Sequence, residues 1–117
     1  FGKKIAYLGS NFDIIANCRM SIEQARLLCL KTAWIIDQGD PKAAAPWISK
    51  IKVIAPNTAL KVTDEAIQMF GGAGISQETP LGMQWTHLRT LRLADGPDAV
   101  HRRQVARAEL KKFSNQK

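Results

Sequence analysis

Acidic residues are in short supply: ten Asp and Glu stand against seventeen Lys and Arg, for a net charge of +7. That surplus raises nucleic acid, a membrane surface or an anionic ligand as partners. It is concentrated near the end of the chain, where Arg102, Arg103, Arg107, Lys111, Lys112 and Lys117 face one acid, Glu109. Cysteine is scarcer still, with Cys18 and Cys29 alone. On one helix they would sit about 16 Å apart, beyond the roughly 7 Å Cα limit for a disulfide, so they read as core thiols. His87 and His101 are isolated, and no metal-ligand spacing exists. No apolar run approaches the ~20 residues that span a bilayer. No signal-like apolar segment addresses the chain to a compartment. No stretch shows sustained period-two alternation, so strands are not expected.

What is present is helical periodicity. A chain of 117 residues, 45% hydrophobic, is expected to form one globular domain over residues 1–117. From Lys4 to Asp37, Ile5, Leu8, Phe12, Ile15, Cys18, Ile22, Ala25, Cys29, Ala33 and Ile36 recur at three- and four-residue steps and predict one long helix. Gly9 is its weak link. Leu27, Leu30 and Trp34 widen the stripe, so this half is expected to pack on two sides. Gln38-Gly39-Asp40-Pro41 is a break: glycine suits a helix end, Asp40 an N-cap and Pro41 a first helical position.

A second helix is expected from Pro41 to about Phe70, with Ala44, Ile48, Ile51, Ala55, Ala59, Val62, Ala66 and Met69 on its stripe. Pro46 and Pro56 complicate it, and Pro56, the worse placed, is expected to kink it near Lys52 without breaking the chain. A loop over Ser76 to Pro80, a helix from Leu81 to about Leu93, and a last helix from Pro97 to about Phe113 complete the pattern. The fold class is therefore all-α, an up-and-down bundle of four helices.

Two stretches could carry chemistry. Gln68 is followed by Gly71-Gly72-Ala73-Gly74, which closes a helix. A Rossmann fingerprint instead opens one after a strand. Such a cluster can be a simple C-cap, or a place where another molecule approaches the backbone. Asp95-Gly96-Pro97-Asp98 can likewise be plain turn chemistry or the seat of a working carboxylate.

Taken together, Phe1-Gly2-Lys3, Ile22-Glu23-Gln24-Ala25-Arg26-Leu27-Leu28, Ala33-Trp34, Ala66-Ile67-Gln68-Met69-Phe70-Gly71-Gly72-Ala73-Gly74 and Leu91-Arg92-Leu93-Ala94-Asp95-Gly96-Pro97-Asp98 resemble the C-terminal domain of acyl-CoA dehydrogenases. The resemblance covers nearly the whole chain. It implies a four-helix bundle that mediates dimer and tetramer contacts in a larger flavoprotein, consistent with an opening at Phe1 in place of Met. It implies that Gln68, Gly71 and Gly72 touch the adenosine-diphosphate part of FAD held by a neighbouring subunit. Asp95 falls where the family carries the glutamate that removes the α-proton of an acyl-CoA thioester. The implied setting is intracellular, in a mitochondrion, peroxisome or bacterial cytoplasm, with electron-transfer flavoprotein as a possible acceptor and no nucleic acid.

The departures from the family pattern are specific. Aspartate is one methylene shorter than the usual base, and Ala94 replaces a frequent tyrosine. Pro97 and Ala99 stand where many relatives have FAD-contacting threonine and glutamine. Leu-Ala-Asp-Gly-Pro-Asp resembles the branch in which the dehydrogenase is fused to a kinase-like domain. Two other readings remain open: a related flavoprotein oxidase with an aspartate base, and a non-catalytic basic helical interaction module.

Overall fold

The first long helix starts later than its apolar periodicity suggests. The computed structural model describes residues 2–114; Phe1 of the opening landmark and Lys117 of the basic tail lie outside the described residues. Ile5–Tyr7 forms a 3-10 turn, Gly9 takes a left-handed φ of 55°, and α1 runs over Asn11–Asp37. The Asn11 side-chain amide donates back to the Ile5 carbonyl at 2.8 Å, and the rings of Tyr7 and Phe12 meet edge to face at 5.8 Å. Lys4–Ser10 thus folds back on the start of α1 and does not extend it. The expected helix over Lys4–Asp37 is shortened because a left-handed glycine cannot continue a right-handed helix.

The buried seam of α1 also differs from the expected stripe. Ala25 is on it as expected, but its C-terminal half turns on Thr32 and Ile35, while Ala33 and Ile36 are exposed. Near the start, Ile14 is half-buried and Phe12 and Ile15 face outward. An apolar-only reading steps over Thr32. That threonine is fully buried because its hydroxyl donates to the Leu28 carbonyl at 2.8 Å, which removes the cost of hiding it.

The α1–α2 joint forms as its residues dictate. Gly39 adopts φ 79°, and one Asp40 carboxylate oxygen accepts from the amides of Lys42 (2.9 Å) and Ala43 (3.3 Å). Helix α2 then occupies Pro41–Phe70, the expected bounds, unbroken through Pro46 and Pro56. It is the hub of the fold. α1, α3 (Gly72–Ile75), α4 (Leu81–Thr90) and α5 (Asp98–Ser114) all pack on it.

Serving several neighbours, α2 buries more than one stripe. Ala44, Ser49, Val53, Pro56 and Leu60 are buried, while Ile51, Ala55, Ala59, Val62, Ala66 and Met69 are half-buried, and Ile48 is exposed. The fold is all-α, and no strand occurs among the described residues. α4 ends at Thr90, short of the expected Leu93, and a run of turns leads to α5. No described helix is long and apolar enough to cross a membrane.

The molecule is elongated, 65 × 27 × 26 Å, and its covered core is thin. Large apolar side chains stay uncovered on the outer side of α1, among them Leu27, Leu30 and Trp34, at 64, 58 and 55% exposure. The second packing side expected there is not covered by this chain itself. Cys18 and Cys29 are free thiols, half-buried.

Candidate functional site

The two candidate stretches lie at different levels of α2. Gln68 and Gly71 sit at its C-terminal end; the turn bearing Asp95 is tied to its middle at Lys52. With 1.5 Å of rise per residue, Lys52 and Gly71 are roughly 28 Å apart along the helix axis. One chain therefore does not bring Asp95 together with Gln68, Gly71 and Gly72.

At the glycine end, Gly71 closes α2 and opens α3 with φ 62° and ψ −140°, a conformation open to glycine. Its amide donates to the Gln68 carbonyl (3.3 Å), and its carbonyl accepts from the Gly74 amide (2.9 Å). Gly74 serves packing: a Cβ there would lie 2.6 Å from the Ile67 carbonyl oxygen. Gly72 meets neither demand. Its φ is not left-handed, and a Cβ built on it has no heavy atom within 4 Å. Gln68, Gly71 and Gly72 are all exposed. The Ser76 and Thr79 hydroxyls donate to the Ala73 carbonyl at 2.9 and 3.1 Å and hold the far side of this turn.

The Asp95 turn is built differently, by side chains. Asp95 has φ 53° and is the only non-glycine left-handed residue among those described; Gly96 follows at φ 97°. Aspartate tolerates this region better than most residues, which gives a physical reason for the shorter acid at position 95. The ammonium of Lys52 donates to the carbonyls of Leu91 (2.5 Å) and Ala94 (2.6 Å). It meets the open carbonyls beyond α4, where the helix dipole favours a cation. On the other flank, His101 Nε2 lies 3.2 Å from the Asp95 carbonyl oxygen and donates to it. The same ring's Nδ1 is 3.4 Å from the hydroxyl of Ser49, which in turn donates to the Gln104 side-chain oxygen.

Beneath the turn, Asp98 opens α5 and is buried. Its carboxylate accepts from Arg92 Nε at 2.8 Å and from the Asn57 amide at 3.1 Å. Burial alone pushes the Asp98 carboxyl up, but the hydrogen bonds from Asn57 and Arg92 and the arginine charge outweigh it and hold the group below its ordinary value. The Asp95 carboxylate, by contrast, enters none of the hydrogen bonds or ion pairs among the described residues and faces solvent.

The motif reading found Asp95, Gln68 and the glycines but not the supports of the turn. Ser49, Lys52 and Asn57 interrupt a mostly apolar α2, and that polar interruption was the available signal. Arg92, within the Leu91–Asp98 motif, is engaged with Asp98. No cluster of metal-ligating side chains occurs among the described residues.

The family described as "Acyl-CoA dehydrogenase, C-terminal domain" matches residues 1–110. The chain belongs to that family. Its acyl-CoA dehydrogenase relatives include "Acyl-CoA dehydrogenase family member 11" of Gallus gallus, 51% identical over 94% of this chain, which spans 14% of that protein's length. A solved putative acyl-CoA dehydrogenase from Mycobacterium abscessus superimposes with a TM-score of 0.92 at 50% identity. That match covers 97% of this chain and 28% of the other. The FAD complex of PigA matches with a TM-score of 0.82 at 30% identity, covering 92% of this chain and 28% of that one. The acyl-CoA dehydrogenase C-terminal fold is thus shared across the whole bundle, glycine end and Asp95 turn included.

Proposed function

We propose that the chain is the C-terminal helical domain of an FAD-dependent acyl-CoA dehydrogenase that desaturates acyl-CoA thioesters between the α and β carbons in fatty-acid β-oxidation. Asp95 is the base in this reading. A carboxylate oxygen takes the α-proton, and burial of the acid against an apolar acyl chain would raise its affinity for that proton. The observation that carries the assignment is the contrast within one turn. The backbone of Asp95 is clamped from both sides, by Lys52 through Ala94 and by His101, while its carboxylate is left exposed and unpartnered among the described residues.

The glycine end fits the cofactor. Gln68 offers a carboxamide, Gly71 and Gly72 offer exposed backbone, and the space where a Gly72 side chain would stand is open. These groups would hold the adenosine-diphosphate part of FAD with neutral donors. When bound, FAD supplies the acceptor for the β-hydride. The roughly 28 Å along α2 between the two stretches favours their serving two different active sites, so that this chain's glycine end meets the FAD of a neighbouring subunit. The uncovered apolar side of α1, with Leu27, Leu30 and Trp34, supports the homodimer or homotetramer that such sharing needs. The isolated chain is expected to be inactive, and electron-transfer flavoprotein is the proposed acceptor.

The test uses the FAD-loaded holoenzyme that contains this domain, mixed without oxygen with a panel of saturated acyl-CoAs. Flavin bleaching by the native protein, lost in D95N with flavin content unchanged, is the expected result. Bleaching that is equal in both would place the base elsewhere. Rapid reoxidation with stoichiometric oxygen consumption would favour the oxidase reading.

A further inference from the structure

We propose that Lys52 is a positioning residue for the Asp95 carboxylate, an inference that rests on the reading of Asp95 as the base. Lys52 is half-buried in the middle of α2, on the residue before the buried Val53, and its ammonium reaches across to a segment some forty positions later in the chain. It spends two of its three donors on the carbonyls of Leu91 and Ala94, at 2.5 and 2.6 Å. Both are short, charge-assisted bonds, stronger than neutral ones. The Ala94 carbonyl belongs to the peptide unit that leads directly into Asp95, so its orientation sets where the Asp95 Cα stands.

The left-handed φ of Asp95 makes this restraint consequential. A non-glycine residue held at φ 53° persists only where its surroundings impose it. Lys52 imposes it from the N-terminal side, and His101, through the Asp95 carbonyl, from the C-terminal side. The Arg92–Asp98–Asn57 group anchors the ends of the turn but does not touch the peptide units on either side of Asp95. Without Lys52 the peptide entering Asp95 is free to turn, and the carboxylate leaves the place from which it reaches the α-carbon. Displacement of a reacting group by about 1 Å can cost on the order of 100-fold in rate.

The holoenzyme is compared as native, K52M, K52R and D95N, with the acyl-CoA of the panel that bleaches native flavin fastest. Three readouts are taken per bound flavin: anaerobic bleaching rate, exchange of the substrate α-proton in D2O, and KM. In K52M, bleaching and exchange are expected to fall about 100-fold, with KM changing less than about threefold and flavin content kept. K52R, whose guanidinium can still donate to two carbonyls, is expected to recover most of both rates. If K52M does not fold, K52Q, which keeps amide donors on a shorter stem, is judged by the same rates.

A purely structural lysine would lower thermal stability or flavin content and leave the rates per flavin unchanged; that result overturns the proposal. So does a K52R as slow as K52M. The two readings fail separately. Exchange that persists in D95N removes the base assignment, and this inference with it. Exchange lost in D95N but native-like in K52M removes the role of Lys52 alone.

Discussion

The glycine end of α2 and the Asp95 turn both lie at the surface near a helix terminus, yet they are made from opposite materials. Gly71–Gly74 is shaped by the lack of side chains: one glycine turns the chain, one lets α3 lie against Ile67, and one is left open. The Asp95 turn is shaped by an excess of them, with Lys52, His101, Arg92, Asn57 and Asp98 all engaged around it. A surface of bare backbone suits the binding of a large polar molecule, which brings its own partners. A carboxylate left free on a backbone clamped from both sides suits chemistry, where position matters more than area. On the proposed reading, the difference separates binding from catalysis within one small domain.

The sharpest way to break this comparison is to remove the carboxylate that the proposed reading makes the base. D95N keeps the size of the side chain and loses its basicity. Loss of a general base costs roughly 100- to 10,000-fold, and anaerobic bleaching of the holoenzyme by acyl-CoA should fall by that order with flavin content intact. A variant within a few-fold of native would reduce the clamped turn to architecture.

The next largest effect is expected at the other end. In G74A the new methyl group would sit 2.6 Å from the Ile67 carbonyl oxygen, against backbone that cannot swing aside. Overpacking of this kind costs about 1–3 kcal/mol. Thermal unfolding of the holoenzyme should show the loss. An unchanged midpoint would mean that α3 can be displaced from α2 at little cost, and that the glycine end is less rigid than its geometry suggests.

How far these regions could be read in advance follows the same division. Asp40, Pro41 and Gly39 announced the α1–α2 joint because capping is local chemistry, and the bounds of α2 followed from it. Gln68, the glycines and Asp95 were legible as motifs. Gly9 is in plain view but reads as a weak point inside a helix, because periodicity continues through it; its left-handed φ is set by the fold-back of the preceding turn. The seam of α1 was misplaced at its ends because Thr32 satisfies its hydroxyl within its own helix and can be buried like an apolar residue. The supports of the Asp95 turn were hidden for a different reason. Lys52 and Leu91, or Ser49 and His101, meet only through the packing of α2 against α4 and α5, and no spacing along the chain encodes a contact between helices.

Asp98 tests whether that support is electrostatic. Its carboxyl is held below the ordinary value of 3.8, so the stability it adds is present at neutral pH and is lost as pH falls through the lower, folded-state value. D98N should cost about 2 kcal/mol at pH 7, a typical figure for hydrogen bonds to a charged group. The gap between native and D98N unfolding should stay level down to about pH 5 and close below 3.8. A gap that does not change with pH would show that shape, not charge, holds Arg92 and Asn57 in place.

The smallest expected effect on stability is also the most informative about binding. Gly72 has neither a left-handed φ nor a neighbour that a Cβ would strike, so nothing within the described chain requires it to be glycine. G72A should therefore leave unfolding within about 0.5 kcal/mol of native, as for other open surface sites. G71A, at φ 62°, should cost about 1–3 kcal/mol as a strained backbone. If the open space beside Gly72 is where FAD of a neighbouring subunit lies, a methyl group there obstructs the cofactor, and FAD affinity should drop on the order of tenfold, about 1.4 kcal/mol. Titration of FAD into the apoprotein oligomer measures that directly. Weak binding with native stability makes Gly72 a contact residue across the subunit boundary; native binding with native stability means the cofactor passes elsewhere, and the glycine end would then be only the cap that its sequence first suggests.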